Sequence, residues 1–242
     1  MIFRLLLILN VLGYSIVFSE NNGILLRYKP RLREAVYTHY SQGESLFTNA
    51  SYEKKINSDS QAYLGLRTLK TLENGFLLQK IGVSAGNIRI NGKMYAHPAL
   101  GKYIEYELAP WGEIPQAIGN GQQFKVNSLQ LSLPEKLVSI GSTWVQTVPK
   151  APTFPLLTEI HYEITNILGS LVIIHSRIDV EGEGVLPSMN FVLKGNSQLI
   201  FNYEEGMIIR SESTQYLEVS IKRKGINRST KMNMNSILEL QF

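Results

Sequence analysis

Four histidines, His39, His97, His161 and His175, are the side chains best placed for acid–base or metal chemistry near neutral pH. No two lie within five residues of each other, so there is no local H-x-x-x-H or H-E-x-x-H ligand pair. His161 and Glu163 fall on one strand face, as do His175 and Arg177, and both pairs read as plain neighbours on a sheet. Asp179, Glu181 and Glu183 alternate just before Gly184. Such a row could offer oxygens to Ca²⁺ or could simply stand in solvent, and its spacing matches no calcium-loop motif. No G-x-S-x-G elbow, Walker loop or G-x-G-x-x-G is present. The chain has no cysteine, which excludes disulfides, thiolate metal sites and a cysteine nucleophile. These residues predict no catalytic site, no cofactor and no metal. An enzyme reading would need a hydrolase site gathered from distant positions.

The positive charges are more patterned. Arg27, Lys29, Arg31 and Arg33 recur at every second residue, opposite Leu26, Tyr28 and Leu32. At strand period they form one basic row, and Pro30 makes the segment an edge strand or an irregular lead-in. Lys222, Arg223 and Lys224 open a second basic cluster, Lys222–Lys231, with Lys224-Gly225 as its turn. Both groups are candidates for contact with an anionic surface, and both have a plainer reading as solvated charge that guards an edge or tip. The net charge of +4 is too small and too dispersed for a general nucleic-acid binder.

Met1–Ser19 has the composition of an export signal. Arg4 precedes the apolar run Leu5–Leu12, and Val17 and Ser19 suit a cleavage site that leaves Glu20 first. An uncleaved anchor is the alternative, although Asn10, Gly13, Tyr14 and Ser15 interrupt the run. The expected location is therefore periplasmic or extracellular. Asn49-Ala50-Ser51 and Asn227-Arg228-Ser229 fit the glycosylation pattern, relevant only in a eukaryotic secretory route.

The rest of the chain must supply a scaffold, and its patterning is that of strands. At 44% hydrophobic and 18% charged, it has enough apolar residues for a sizeable core. Strands are expected at Ala35–Tyr40, Ser51–Asn57, Gln61–Leu72, Phe76–Ser84, Asn87–Ile90 and Leu100–Leu108. Asn74-Gly75, Ala85-Gly86 and Asn91-Gly92 read as turns. Ala109–Gln123 holds two prolines and three glycines and reads as a connection between residues 20–108 and 124–242, with Trp111 as a core plug. Phe124–Leu133 fits a helix or a strand. Leu133–Trp144 reads as a loop entering a strand with Gly141 at its turn, and Pro149, Pro152 and Pro155 as a stiff loop. Leu157–Ile167, Leu171–Glu181, Met189–Leu193 and Ile237–Phe242 complete the strand set. The order of hairpins in the two halves is consistent either with a weak duplication or with two unrelated meanders.

The most regular stretch is Leu199–Ile221, two β-rich arms about a turn at Glu204-Glu205-Gly206. On its second arm Ile209, Ser211, Ser213, Gln215 and Leu217 point one way, and Arg210, Glu212, Thr214, Tyr216 and Glu218 the other. Ile209, Ser211, Ser213 and Leu217 are candidate cavity-wall residues.

Three stretches, L-P-E-K-L-V-S-I-G-S-T-W from Leu133, E-G-E-G from Glu181 and F-N-Y-E-E-G-M-I-I-R-S from Phe201, resemble a family of bacterial exported proteins of unknown function. The hairpin style is also similar to lipoprotein-carrier proteins. That resemblance implies a long curved sheet around an apolar cavity, plugged by helices; no clear amphipathic helix is legible here. Neither resemblance implies catalytic residues.

The fold expected is all-β: twelve to fifteen antiparallel strands in a long curved sheet, either a half-barrel or two packed meanders, behind an N-terminal signal helix. The leading functional expectation is a non-enzymatic envelope protein, soluble or peripheral to a membrane, that binds a protein partner or acts as a scaffold. The alternative is a carrier of an apolar, lipid-like ligand in the concave face, which requires a cavity of several hundred Å³.

Overall fold

The computed structural model describes residues 23–115, 117–119, 131–148, 156–183, 188–223 and 226–241. Residues 1–19, Pro149, Pro152, Pro155, Lys224 and most of Phe124–Leu133 lie outside them, with the expectations made there. Twelve strands are described: β1 (Ala35–Asn49), β2 (Tyr52–Thr71), β3 (Leu77–Ile90), β4 (Lys93–Ala96), β5 (Tyr103–Leu108), β6 (Ala117–Gly119), β7 (Thr143–Val148), β8 (Thr158–Leu168), β9 (Leu171–Glu183), β10 (Met189–Asn202), β11 (Met207–Arg223) and β12 (Ile226–Gln241). Side chains alternate between faces as a pleated strand requires. On β3, Leu77, Gln79, Ile81 and Val83 are buried while the residues between them are half-buried.

All twelve strands belong to one antiparallel sheet ordered β6-β5-β3-β2-β1-β12-β11-β10-β9-β8-β7, with β4 beside β3. The two meanders are therefore joined edge to edge through β1 and β12 into one continuous sheet. The sheet does not close, yet it curls. Ile104 and Tyr106 on β5 share one core cluster with Ile164 on β8 and Ile174 on β9, although seven strands separate β5 from β8 in the sheet order. Two irregular segments fill the space within the curl. Ile24 and Val138 exchange backbone hydrogen bonds of 2.8 and 2.9 Å, and Leu26, Tyr28, Leu131 and Leu133 are buried beside them.

Tyr28 is the hub of this filling. Its hydroxyl donates to the Leu131 carbonyl at 3.1 Å and accepts from the Leu131 N–H at 2.8 Å, and its ring meets Phe201 edge-on at 5.5 Å.

Several local expectations need correction. Ala85-Gly86 is no turn: β3 runs straight through it, with a register shift against β2 between Tyr63 and Leu64. Ser41–Asn49, which lacks an apolar alternation, belongs to β1. Met189–Leu193 and Leu199–Asn202 are parts of one strand, β10. Trp111 is only half-buried; it lies edge-on to Phe76 at 5.6 Å and donates to Glu113 at 3.2 Å. The turn at Glu204–Gly206 forms as expected. Gly206 adopts φ +68°, and a Cβ there would stand 2.5 Å from the Lys29 nitrogen.

Candidate functional site: the inner face of the sheet

Cross-strand register fixes which side chains share the inner face. At one end, around Leu64, Ile174, Leu199, Phe201 and Leu240, this face is a filled core. The cavity described between Tyr28, Tyr37, Leu64, Ile81, Met207 and Ile208 holds about 40 Å³, room for a water or two and not for a lipid. Burial raises the pKa of the Tyr28, Tyr37 and Tyr162 phenols, so these hydroxyls stay protonated.

Moving along the strands, the next feature is a ladder of serines. Ser60, Ser41, Ser236, Ser213, Ser197 and Ser176 are successive register partners across β2, β1, β12, β11, β10 and β9. Their hydroxyls are hydrogen-bonded in three pairs: Ser41 with Ser60 at 2.7 Å, Ser213 with Ser236 at 2.8 Å, and Ser176 with Ser197 at 2.6 Å. Tyr162 continues the row on β8, and its hydroxyl donates to Gln146 at 2.8 Å. Polar groups in a part-buried row are satisfied by one another, as burial requires.

Among the described residues, the inner face beyond the ladder turns apolar again and is only half-buried. Met232 and Met234 on β12, Leu217 on β11, Leu193 on β10 and Ile56 on β2 are half-buried, and Gln215 on the same face is exposed. Gly43 and Gly195 lie between them, the space above each taken up by Ser58 and by Ile178 with Gln215 respectively. The result is an open apolar trough bounded on one side by the serines. On the β9 flank Leu156 covers the floor, with its Cδ2 3.1 Å from where a Cβ on Gly182 would be.

The candidate wall residues occupy three different parts of this face. Ile209 packs on the closed core. Ser211 pairs with Leu199 and Leu238 between core and ladder, Ser213 belongs to the ladder, and Leu217 lies in the trough opposite Leu193 and Met232.

The basic row Arg27–Arg33 is not a free strand edge. Arg27 donates to the carbonyls of Leu26, Pro134 and Glu135 at 2.6, 2.8 and 2.7 Å, and Lys29 to the Glu204 carbonyl at 2.9 Å. Arg31 approaches Glu205 at 4.0 Å. Leu32, expected on the apolar side, is fully exposed. The row ties the lead-in to the turn at Gly206, and Arg33 is exposed. Lys222 and Arg223 end β11, where they pair with Asn227 and Ile226.

No protein-family model and no curated protein matches the chain. The functional reading therefore rests on its own geometry.

The outer face is polar and charge-balanced. Arg210 bridges Glu212 and Glu239 at 2.7 and 2.6 Å, and these contacts raise its pKa. Asp179, from the carboxylate row, stands between Arg177 and Lys194 at 3.3 and 3.6 Å. Among the described residues no group of three or more acidic or histidine side chains is placed to hold a metal ion. His161 and His175 lie on this face with Glu159 and Gln198 as neighbours.

Sequence spacing gave no hint of one histidine pairing. His39 on β1 points inward beside Leu238 and Ala62. Burial, then the charge of His97, lowers its pKa, and burial lowers that of His97. The His97 Nδ1 accepts from the Ala99 N–H at 3.2 Å, so the ring is held neutral with its proton on Nε2. The direct register partners of His39 are Ala62 and Leu238, and both histidine rings are half-buried.

Proposed function

We propose that the protein is a non-enzymatic, exported binding protein that holds an apolar, lipid-like chain in the trough beyond the serine ladder. The observation that carries this is the exposure of Gln215 and the incomplete burial of Leu217, Met232 and Met234 on the same face whose other end is a filled core. A sheet that needed only to fold would close this stretch or make it polar. Methionine side chains adapt their shape to a ligand. The composition of residues 1–19 supports export.

The test is binding of a fluorescent long-chain probe to the purified protein, with Leu217→Glu as the diagnostic change. A charge in the trough should weaken binding about tenfold or more, because the ligand would have to desolvate it. The melting temperature should stay within a few degrees. Wild-type protein that binds no probe, or a variant that binds it as well as wild type, defeats the proposal.

A second reading, docking of a partner protein, draws on the outer face. Tyr40 and Tyr63 are exposed there, and Gln61 donates to both hydroxyls at 3.0 and 3.1 Å. Co-purification of a stoichiometric partner that Tyr40→Ala releases would favour it.

A further inference from the structure

Charge is distributed unevenly between the two faces of the sheet. Every aspartate and glutamate on the described strands occupies an outward register position. The inward positions of the described strands hold no carboxylate but several cations, Arg223 at the end of β11 among them. Lys54 stands opposite Phe47, Arg228 opposite Asn49 and Ile221, and Lys93 opposite Ile90, itself the partner of Ser58. Lys54 and Arg228 stand at the open end of the trough, on β2 and β12, whereas Lys93 on β4 stands in the row next to the ladder. All three side chains are exposed.

Their neighbours on the outer face are matched: Lys55 with Glu44 at 2.6 Å, Arg89 with Asp59 at 3.6 Å, and Lys231 with Glu218 at 3.7 Å. No ion pair within 4.0 Å joins Lys54, Lys93 or Arg228 to a carboxylate among the described residues. An apolar channel with a rim of unmatched cations and no internal acid is complementary to one class of molecule.

We infer that the occupant of the trough is an anionic amphiphile, its tail along Leu217, Met232 and Met234 and its carboxylate or phosphate head at Lys54 and Arg228. This rests on the binding role proposed above and adds the polarity and orientation of the ligand. The serine ladder sets the inner limit of the tail. From Ser213 to Ile221 an extended strand covers about 26 Å at 3.3 Å per residue, enough for a long acyl chain. Exposed cations at the mouth also draw an anion in from solution, over a range of about 10 Å at moderate salt.

The experiment compares two monomeric ligands with the same chain, a long-chain fatty acid and the corresponding fatty alcohol, by displacement of a neutral apolar fluorophore. Wild-type protein should prefer the acid by about tenfold at low salt, and the preference should shrink as salt rises. Lys54→Gln/Arg228→Gln should bring the acid down to the alcohol's affinity and leave the alcohol within about twofold. These positions are exposed, so the fold is retained, and an unchanged far-ultraviolet spectrum checks this. Equal binding of acid and alcohol by wild type, or an acid preference that survives the double change, overturns the inference and leaves the binding role standing. Failure of both ligands to bind overturns the two together. Adsorption to anionic phosphatidylglycerol vesicles without binding of the monomeric acid overturns the inference in favour of a membrane-surface role for the same cations.

Discussion

Ser213 on β11 and Ser236 on β12 stand directly opposite one another and share a hydrogen bond of 2.8 Å. The same pairing recurs on either side, at Ser41–Ser60 and Ser176–Ser197. A row of short hydroxyls running perpendicular to the strands divides the inner face into a filled end and an open one. Serine fits this place because its oxygen can face its neighbour and stay close to the floor.

This relationship predicts a measurable coupling. Ser213→Ala or Ser236→Ala alone leaves a part-buried hydroxyl without its partner and should cost about 1 kcal/mol. The double change removes both hydroxyls and should cost less than the sum, with a coupling energy of about 1 kcal/mol in a urea-denaturation cycle. Strict additivity would show the bond to be energetically silent.

Tyr28→Phe keeps the ring against Phe201 but deprives both the N–H and the carbonyl of Leu131 of their partner. Stranding these buried groups should cost about 2–4 kcal/mol, read as a lower denaturant midpoint with an unchanged slope. A loss below about 0.5 kcal/mol would mean that the 131–138 segment is not anchored through this residue.

Gly206→Ala tests the turn between β10 and β11. The position has φ +68°, and the added Cβ would stand 2.5 Å from the Lys29 nitrogen and 2.7 Å from the Arg27 carbonyl oxygen. Positive φ alone costs about 1 kcal/mol for alanine, and displacement of the Arg27–Lys29 lead-in adds to it, so a loss of about 2–3 kcal/mol is expected by thermal melting.

His39 gives the expected pH response. Its folded pKa lies below the ordinary histidine value, chiefly from burial and then from His97. The unfolded chain therefore binds the proton more readily than the folded one, so the contribution is fully present above the ordinary histidine pKa of about 6.5 and is lost as pH falls towards the folded value. Melting temperature should drop between about pH 7.5 and pH 5. His39→Gln should flatten that drop, and an equally steep variant would assign the acid sensitivity elsewhere.

How much of this was legible depended on whether a feature is local. The Asn91-Gly92 turn could be read because two residues alone set it, and both adopt positive φ, 48° and 82°. The alternation from Ile209 to Leu217 could be read because one face carries charge and the other does not. The second half of β1 could not. Its inward positions are Ser41, Gly43, Ser45, Phe47 and Asn49, and only Phe47 is apolar, so the polarity difference that marks a strand is missing there. The charge of Arg27 was visible, but its fate was not, because the Pro134 and Glu135 carbonyls that receive it come from a distant loop. The approach of His39 to His97 and the ladder itself are products of register, which no single strand encodes.

The pairing of Val36 with Gln241 puts the first described strand beside the last, at the middle of the sheet. Until β12 is synthesised, β1 and β11 each remain as a long unpaired border, and neither meander is complete without the other. Contacts so distant in sequence place the molecule among slow folders. During synthesis it must spend an interval as two sticky half-sheets, and a chaperone that shields strand borders should shorten its losses to aggregation.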